Sequence, residues 1–391
     1  MKLKNKMKRL KMIVALMLAL SCINAVCAST TVEEVLAGLK SRVAPDKRTA
    51  IWDVNAIDQD DVLTIYGTVG TQAQKDIVSS ELTNSGFSGF RNNLIVLESA
   101  MPQNRRWAMV KLSIATLRTA GSHDAEMATQ AIMGTPVKVL QQAGDWYRVQ
   151  TPDDYIAYIP GSSMAFKTAG EMKSWRTARR FIVTVYDSRL VTQPKGDETV
   201  TDLVLGNILE YRGKRGKWLL LATPDGRQGY VEKENVEELD KWAKQNFDAA
   251  LIEKTARRMM GSSYLWGGTS TKVTDCSGLT KVSYFSNGII LQRDASQQAL
   301  TGMKIAGSDW QQCRQGDLLF FGNEKTRRVT HVGIYLRDGQ YIHCSGQVKL
   351  NSLKADDPSF LYSPLSCSRI AGQEGTKGIS FVRSHPWYFE F

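Results

Sequence analysis

Thr274-Asp275-Cys276-Ser277-Gly278-Leu279 holds the residue types needed for covalent chemistry at a carbonyl. Small and polar residues there give way to Val282, Tyr284 and Phe285, which predicts a helix beginning at Cys276. A cysteine attacks as its thiolate. The unpaired N–H groups and the positive dipole end at a helix start stabilise that anion. The thiol also needs a base, and the base needs a third group to orient it.

Four histidines are present: His123, His331, His343 and His385. His331 and His343 lie in strand-like runs, Val329 to Leu336 and Gln340 to His343, joined by Arg337-Asp338-Gly339, which is a hairpin signature. Register determines whether the two imidazoles meet. With a two-residue Asp338-Gly339 loop, Arg337 pairs with Gln340 and the histidines fall on opposite faces, because side chains alternate along a strand. With a three-residue loop and Gly339 in a left-handed bulge position, Leu336 pairs with Gln340. His343 then stands opposite Gly333, and both histidines share a face. Only this register builds a relay in which His331 takes the proton of Cys276 and His343 orients His331, so the three-residue loop is expected.

His343 beside Cys344 does not read as a metal site, since zinc wants four ligands at close spacing and the chain has no Cys-x-x-Cys. No metal or other cofactor is expected. Cys344, one residue along a strand from His343, is assigned to the opposite face and to the core. Cys313 and Cys367 stand in no motif, and a disulfide among these three is left open.

The elements that must position this chemistry are spread over 391 residues, a length that predicts several domains. A basic start, the apolar run Met12 to Leu20 and the small-residue end Ala25-Val26-Cys27-Ala28 read as a signal peptide over residues 1–28. An exported protein of the periplasm or cell envelope is therefore expected, without a transmembrane span; lipidation at Cys22 is the alternative. Loss of Lys2, Lys4, Lys6, Lys8, Arg9 and Lys11 takes six bases from 50, leaving 44 against 39 acids, a net of +5 rather than +11. So mild an excess, with no basic block, gives no ground for nucleic-acid binding.

Residues 31–100 read as helix, strand, strand, helix, strand, a small α+β unit. Two all-β segments follow, 106–168 and 178–238, and they are copies: a shift of 72 lays Trp146 on Trp218, Pro152 on Pro224, Asp153 on Asp225 and Tyr158 on Tyr230. Apolar residues at helical spacing between Val236 and Met260 predict a helical lead into a last domain, 245–391.

The last domain resembles the NlpC-like cell-wall cysteine peptidases. The likeness is carried by Tyr264, Trp266-Gly267-Gly268, Asp275-Cys276-Ser277-Gly278, Gly316-Asp317-Leu318, His331-Val332-Gly333 and Ile342-His343. It implies an α+β fold with a circularly permuted papain-like catalytic domain and a Cys276, His331, His343 catalytic set. The two β segments resemble bacterial SH3-like barrels, and residues 31–100, with the turn Gly67-Thr68-Val69, resemble the small BON domain of envelope proteins. NlpC-like proteins with two such barrels resemble the dipeptidyl-peptidase VI type, γ-D-glutamyl-L-diamino acid endopeptidases acting on peptidoglycan stem peptides with a free N-terminal L-Ala.

In that type an acid and a tyrosine of the first barrel, with the Asp beside the nucleophile, hold the substrate's ammonium. The matching positions are Glu126, Tyr155 and Asp275, with Tyr264 and Ser277 contacting the same dipeptide. Read alone, Glu126 is an ordinary solvated carboxylate. The first stretch, Asp124 to Ala131, fits the type, whereas Asp153-Asp154-Tyr155-Ile156-Ala157-Tyr158 lacks the usual glycines and tryptophan. The expected partner is a stem peptide, L-Ala-γ-D-Glu-diamino acid, and the expected state a monomer. The rivals are a wall-binding scaffold with a silent peptidase domain, and an acyltransferase or amidase using the same Cys-His pair.

Overall fold

The computed structural model describes residues 31–390. The signal-peptide reading of residues 1–28, with Cys22 and Cys27, lies outside them. Among the described residues no helix is long and apolar enough to cross a membrane.

Thr31 starts the first helix, α1 (Val32–Val43), with a reciprocal capping box to Glu34. Strands β1 (Trp52–Gln59) and β2 (Val62–Val69) pair antiparallel across Asp60 and Asp61, both at positive φ. Helix α2 (Gln72–Asn84) then carries the chain over to β3 (Arg91–Val96), parallel to β2. Leu39, Ile65, Val78, Leu82 and Leu94 close the core of this unit.

The two barrels between Trp107 and Glu238 have seven strands each and separate cores. Their repeat extends to side-chain detail. Trp146 and Trp218 each open a strand after a left-handed glycine, Gly144 and Gly216. Thr151 donates to Asp153 at 2.5 Å and Thr223 to Asp225 at 2.5 Å in the same turn. The expected helical lead is only partly helical. Val236–Glu238 is the last strand of the second barrel, paired with Phe181–Val183, and a short helix at Leu239–Trp242 follows. The chain breaks before Asp248, whose carboxylate accepts the Ala250 and Leu251 N–H groups and so starts a new helix, α3 (Ala249–Arg258).

The last domain packs α3 and α4 (Cys276–Phe285) against a six-stranded antiparallel sheet. Its strands are β4 (Met303–Ala306), β5 (Leu318–Gly322), β6 (Val329–Tyr335), β7 (Gln340–Ser345), β8 (Gln347–Ser352) and β9 (Ser366–Arg369), in the order β4-β9-β5-β6-β7-β8. Val332, Ile334, Ile342 and Cys344 face the helices, and Phe321, Tyr335 and Tyr341 line the other face. Cys344 is fully buried in the helix-facing core.

Candidate active site

Cys276 is the first residue of α4, and Asp275 is its N-cap, with Oδ1 accepting the Gly278 N–H at 2.7 Å. The N–H groups of Val332 and Ser277 act on the thiol by lowering its pKa. Strand pairing explains why Val332 is available. Leu336 N–H donates to Gln340 O at 2.9 Å, Asp338 and Gly339 have positive φ, and Gly333 pairs with His343, the register of a three-residue loop. The next hydrogen-bonded pair would join Val332 to Cys344, but the ladder ends at Gly333. The β6–β7 ladder therefore does not use the Val332 N–H.

His331 Nε2 lies 2.7 Å from His343 Nδ1, and His343 Nε2 lies 2.7 Å from Asn351 Oδ1. Asn351 Nδ2 donates to the Ser359 carbonyl, which fixes the amide orientation and aims Oδ1 at His343. An acceptor there requires a proton on His343 Nε2, so His343 Nδ1 accepts and His331 Nε2 donates. The nitrogen of His331 left with a free lone pair is Nδ1. One asparagine therefore sets the tautomers of both rings.

Burial, then His343, holds His331 down to about 3, and burial holds His343 down to about 4. Burial, then the Asp275 carboxylate, pushes the Cys276 thiol up to about 11, with the Val332 N–H pulling the other way. At neutral pH the site thus holds a protonated thiol and a neutral His331 imidazole.

Asp275 is tied on every side. Arg293, 1 % exposed, donates to Oδ2 at 2.5 Å and Oδ1 at 3.2 Å. Gly267 N–H reaches Oδ2 at 2.9 Å and Ser277 Oγ reaches Oδ1 at 3.2 Å. With Gly278, five donors fill the roughly four lone-pair sites of one carboxylate. Arg293 also donates to Ser277 Oγ at 2.8 Å and to Thr129 Oγ1 at 2.9 Å in the first barrel, so a single guanidinium joins barrel and nucleophile.

The first barrel abuts this side of α4. Gly267, at φ +82, lies so close to Met127 that a Cβ would meet its carbonyl oxygen at 2.6 Å. Gln130 Oε1 accepts the Thr269 N–H at 2.9 Å, and the buried Lys281–Asp153 ion pair spans the same junction at 2.6 Å. Glu126, next to Met127, is exposed, and its carboxylate makes no ion pair among the described residues. Trp266 stands 59 % exposed on the facing loop. Tyr155 is buried beside Asp294, Arg293 and Arg48, and burial followed by Asp294 raises its hydroxyl pKa. Burial, then the neighbouring Cys276 and Asp275, raises the Tyr264 pKa as well. Ser277 is buried against Asp275.

Among the described residues no His, Cys, Asp and Glu side chains cluster as a metal site. Arg293 and Asn351 escaped the sequence reading. Arg293 carries no local signal. Asn351 carries one: the Ser345–Gln347 pairing around Gly346 places Lys349 opposite His343 and Asn351 on the same face, one step diagonal.

The NlpC/P60 family profile matches residues 261–361, and that of the bacterial dipeptidyl-peptidase Sh3 domain matches residues 117–164. The chain therefore contains an NlpC/P60 domain, of cysteine peptidase type, behind a dipeptidyl-peptidase Sh3 domain. A dipeptidyl-peptidase 6 of Lysinibacillus sphaericus is 27 % identical over 266 residues, covering 65 % of this chain and 94 % of that protein. A gamma-D-glutamyl-L-lysine dipeptidyl-peptidase of Bacillus cereus is 27 % identical over 232 residues, covering 56 % of this chain and 67 % of its own. The crystal structure of an NlpC/P60 family protein from Bacillus cereus superposes with a TM-score of 0.59 at 22 % identity, over 68 % of this chain and 99 % of that one, a likeness of fold.

Proposed function

We propose that this protein is a cysteine peptidase that hydrolyses the bond between γ-D-Glu and the L-diamino acid of peptidoglycan stem peptides bearing a free N-terminal L-Ala. The observation that carries the reading is the relay from Asn351 through His343 to His331, with Cys276 at a helix start in the same core as Val332, the neighbour of His331. Cys276 attacks the γ-carbonyl as His331 Nδ1 takes its proton, and His331 returns that proton to the leaving amine. Backbone N–H groups near Cys276 hold the oxyanion, and water releases the acyl group through the same base.

The docked first barrel supports a cleft closed at one end. The exposed Glu126 supplies the charge that pairs with the substrate's ammonium, with Tyr155 and Tyr264 beside it. Asp275, already saturated by donors, contributes its field and holds Ser277 in place. The export-like start at residues 1–28 supports work in the periplasm or envelope, as a monomer on its peptide. The repeat barrels support a place near the wall.

The test is mass spectrometry of L-Ala-γ-D-Glu-diaminopimelate and its N-acetylated form after incubation with the protein, with Cys276→Ser as control. Cleavage of the free peptide alone, abolished in Cys276→Ser, is expected. Cleavage of both peptides removes the ammonium gate, and cleavage of neither overturns the peptidase reading.

A further inference from the structure

The segment joining α1 to β1 leaves its own unit and reaches the rear of the candidate site. Arg48 is its hub. The guanidinium grips Asp46, with Nε 2.8 Å from Oδ1 and Nη2 2.7 Å from Oδ2. Nη1 crosses to the last domain and donates to Asp294 Oδ2 at 2.9 Å and Ser296 Oγ at 3.0 Å. Asp46 Oδ2 accepts Gln297 Nε2 at 2.8 Å, so the same turn is held from two sides. The Arg48 carbonyl accepts the Ile156 N–H at 2.7 Å, directly after Tyr155.

What this turn holds is not peripheral. Asp294 follows Arg293, the side chain that sets Asp275 and Ser277 beside the nucleophile. Tyr155 lies within the combined field of Asp294, Arg293 and Arg48. The unit is seated on the first barrel by an apolar cluster of Ile51, Leu97 and Leu140, with Ile156 against it, so Arg48 is presented from a fixed support. The Bacillus cereus structure is spanned over 99 % of its length by 68 % of this chain, which leaves the rest of this chain without a counterpart there.

We propose that residues 31–100 are a working part of the substrate site, with Arg48 as a positioning residue that holds the Arg293–Asp294 turn and Tyr155 at the ammonium end of the cleft. The proposal rests on the peptidase reading above. Arg48 is a partly exposed ion-pair hub, with 34 % of its side chain exposed and 28 % of that of Asp294, so its effect on global stability is small. Its effect on geometry is larger, because small displacements of positioning groups are expensive in rate. Loss of Arg48 frees the turn, shifts Tyr155, and weakens binding of the L-Ala-γ-D-Glu end, while the Asn351–His343–His331 relay on the sheet is untouched.

The experiment compares full-length wild type, Arg48→Ala, Arg48→Lys and Asp294→Asn on free and N-acetylated L-Ala-γ-D-Glu-diaminopimelate. The expected result for Arg48→Ala is a KM for the free peptide raised roughly tenfold or more with kcat within about twofold. The rate at which iodoacetamide alkylates Cys276 and the melting temperature stay at wild-type values, Arg48→Lys restores part of KM, and Asp294→Asn resembles Arg48→Ala. An unchanged KM overturns the proposal, as does a parallel fall of kcat, alkylation rate and melting temperature. If wild type cleaves neither peptide, the peptidase reading fails by itself, and protection of Cys276 from iodoacetamide by L-Ala-γ-D-Glu replaces KM as the readout. Protection that is equal in wild type and Arg48→Ala, or absent from both, overturns the positioning role.

Discussion

Replacing Asn351 by Ala removes two hydrogen bonds, to His343 Nε2 and to the Ser359 carbonyl, from a position where His343 is fully buried. A buried donor left without a partner costs about 1–3 kcal/mol. His343 escapes that cost by moving its proton to Nδ1, but it then donates to His331 Nε2 and forces the His331 proton onto Nδ1, the nitrogen that must accept from Cys276. The same 1–3 kcal/mol therefore works against the competent tautomer, and kcat should fall about 5- to 150-fold. KM should hold, since Asn351 faces the histidine rather than the cleft. Asn351→Asp gives a sharper signature. A carboxylate at 2.7 Å raises the His343 pKa from about 4, and an imidazolium there donates from both nitrogens, so the acidic limb of the kcat profile moves to higher pH and activity recovers above it. Steady-state kinetics between pH 5 and 9, with nitrogen NMR of the two rings, reads both effects. An Asn351→Ala enzyme with wild-type kcat, or an Asn351→Asp enzyme with an unmoved acidic limb, would refute the tautomer argument.

Between pH about 4 and about 6.5 the buried His331 and His343 stay neutral while the unfolded chain binds their protons, so stability should rise with pH across that window and be lost as pH falls through it. Urea midpoints at pH 4.5 and 7.5 check this, and His343→Gln should flatten the difference. Lys281→Met strands the buried Asp153 carboxylate at the junction of barrel and helix and should cost about 3–5 kcal/mol by urea unfolding, whereas Lys281→Met with Asp153→Leu should cost much less. In activity assays His331→Ala should be inactive, while His343→Ala retains a residue of turnover because it removes orientation rather than the base.

How far the sequence reaches depends on how local the determinant is. The hairpin register was legible because Arg337-Asp338-Gly339 is a turn signal and strand alternation then places two imidazoles on one face. The helix start at Cys276 was legible because small and polar residues precede an apolar period. The barrel repeat was legible because both copies keep the same turn chemistry at Asp153 and Asp225. The lead into the last domain was read too simply, because apolar spacing alone does not reveal that Val236–Glu238 pairs with Phe181–Val183.

The thiol's surroundings were beyond the sequence. Arg293 reaches Asp275 across 18 positions and Thr129 across 164, and Arg48 reaches Asp294 across 246. No periodicity or motif encodes such meetings. They exist because apolar clusters between the units bring the elements together, and the charged groups caught there must then find partners or pay the cost of desolvation. The sequence by itself determined which groups are proposed for the chemistry. Tertiary packing alone decided which groups hold them, because partner choice depends on burial and distance rather than on order along the chain.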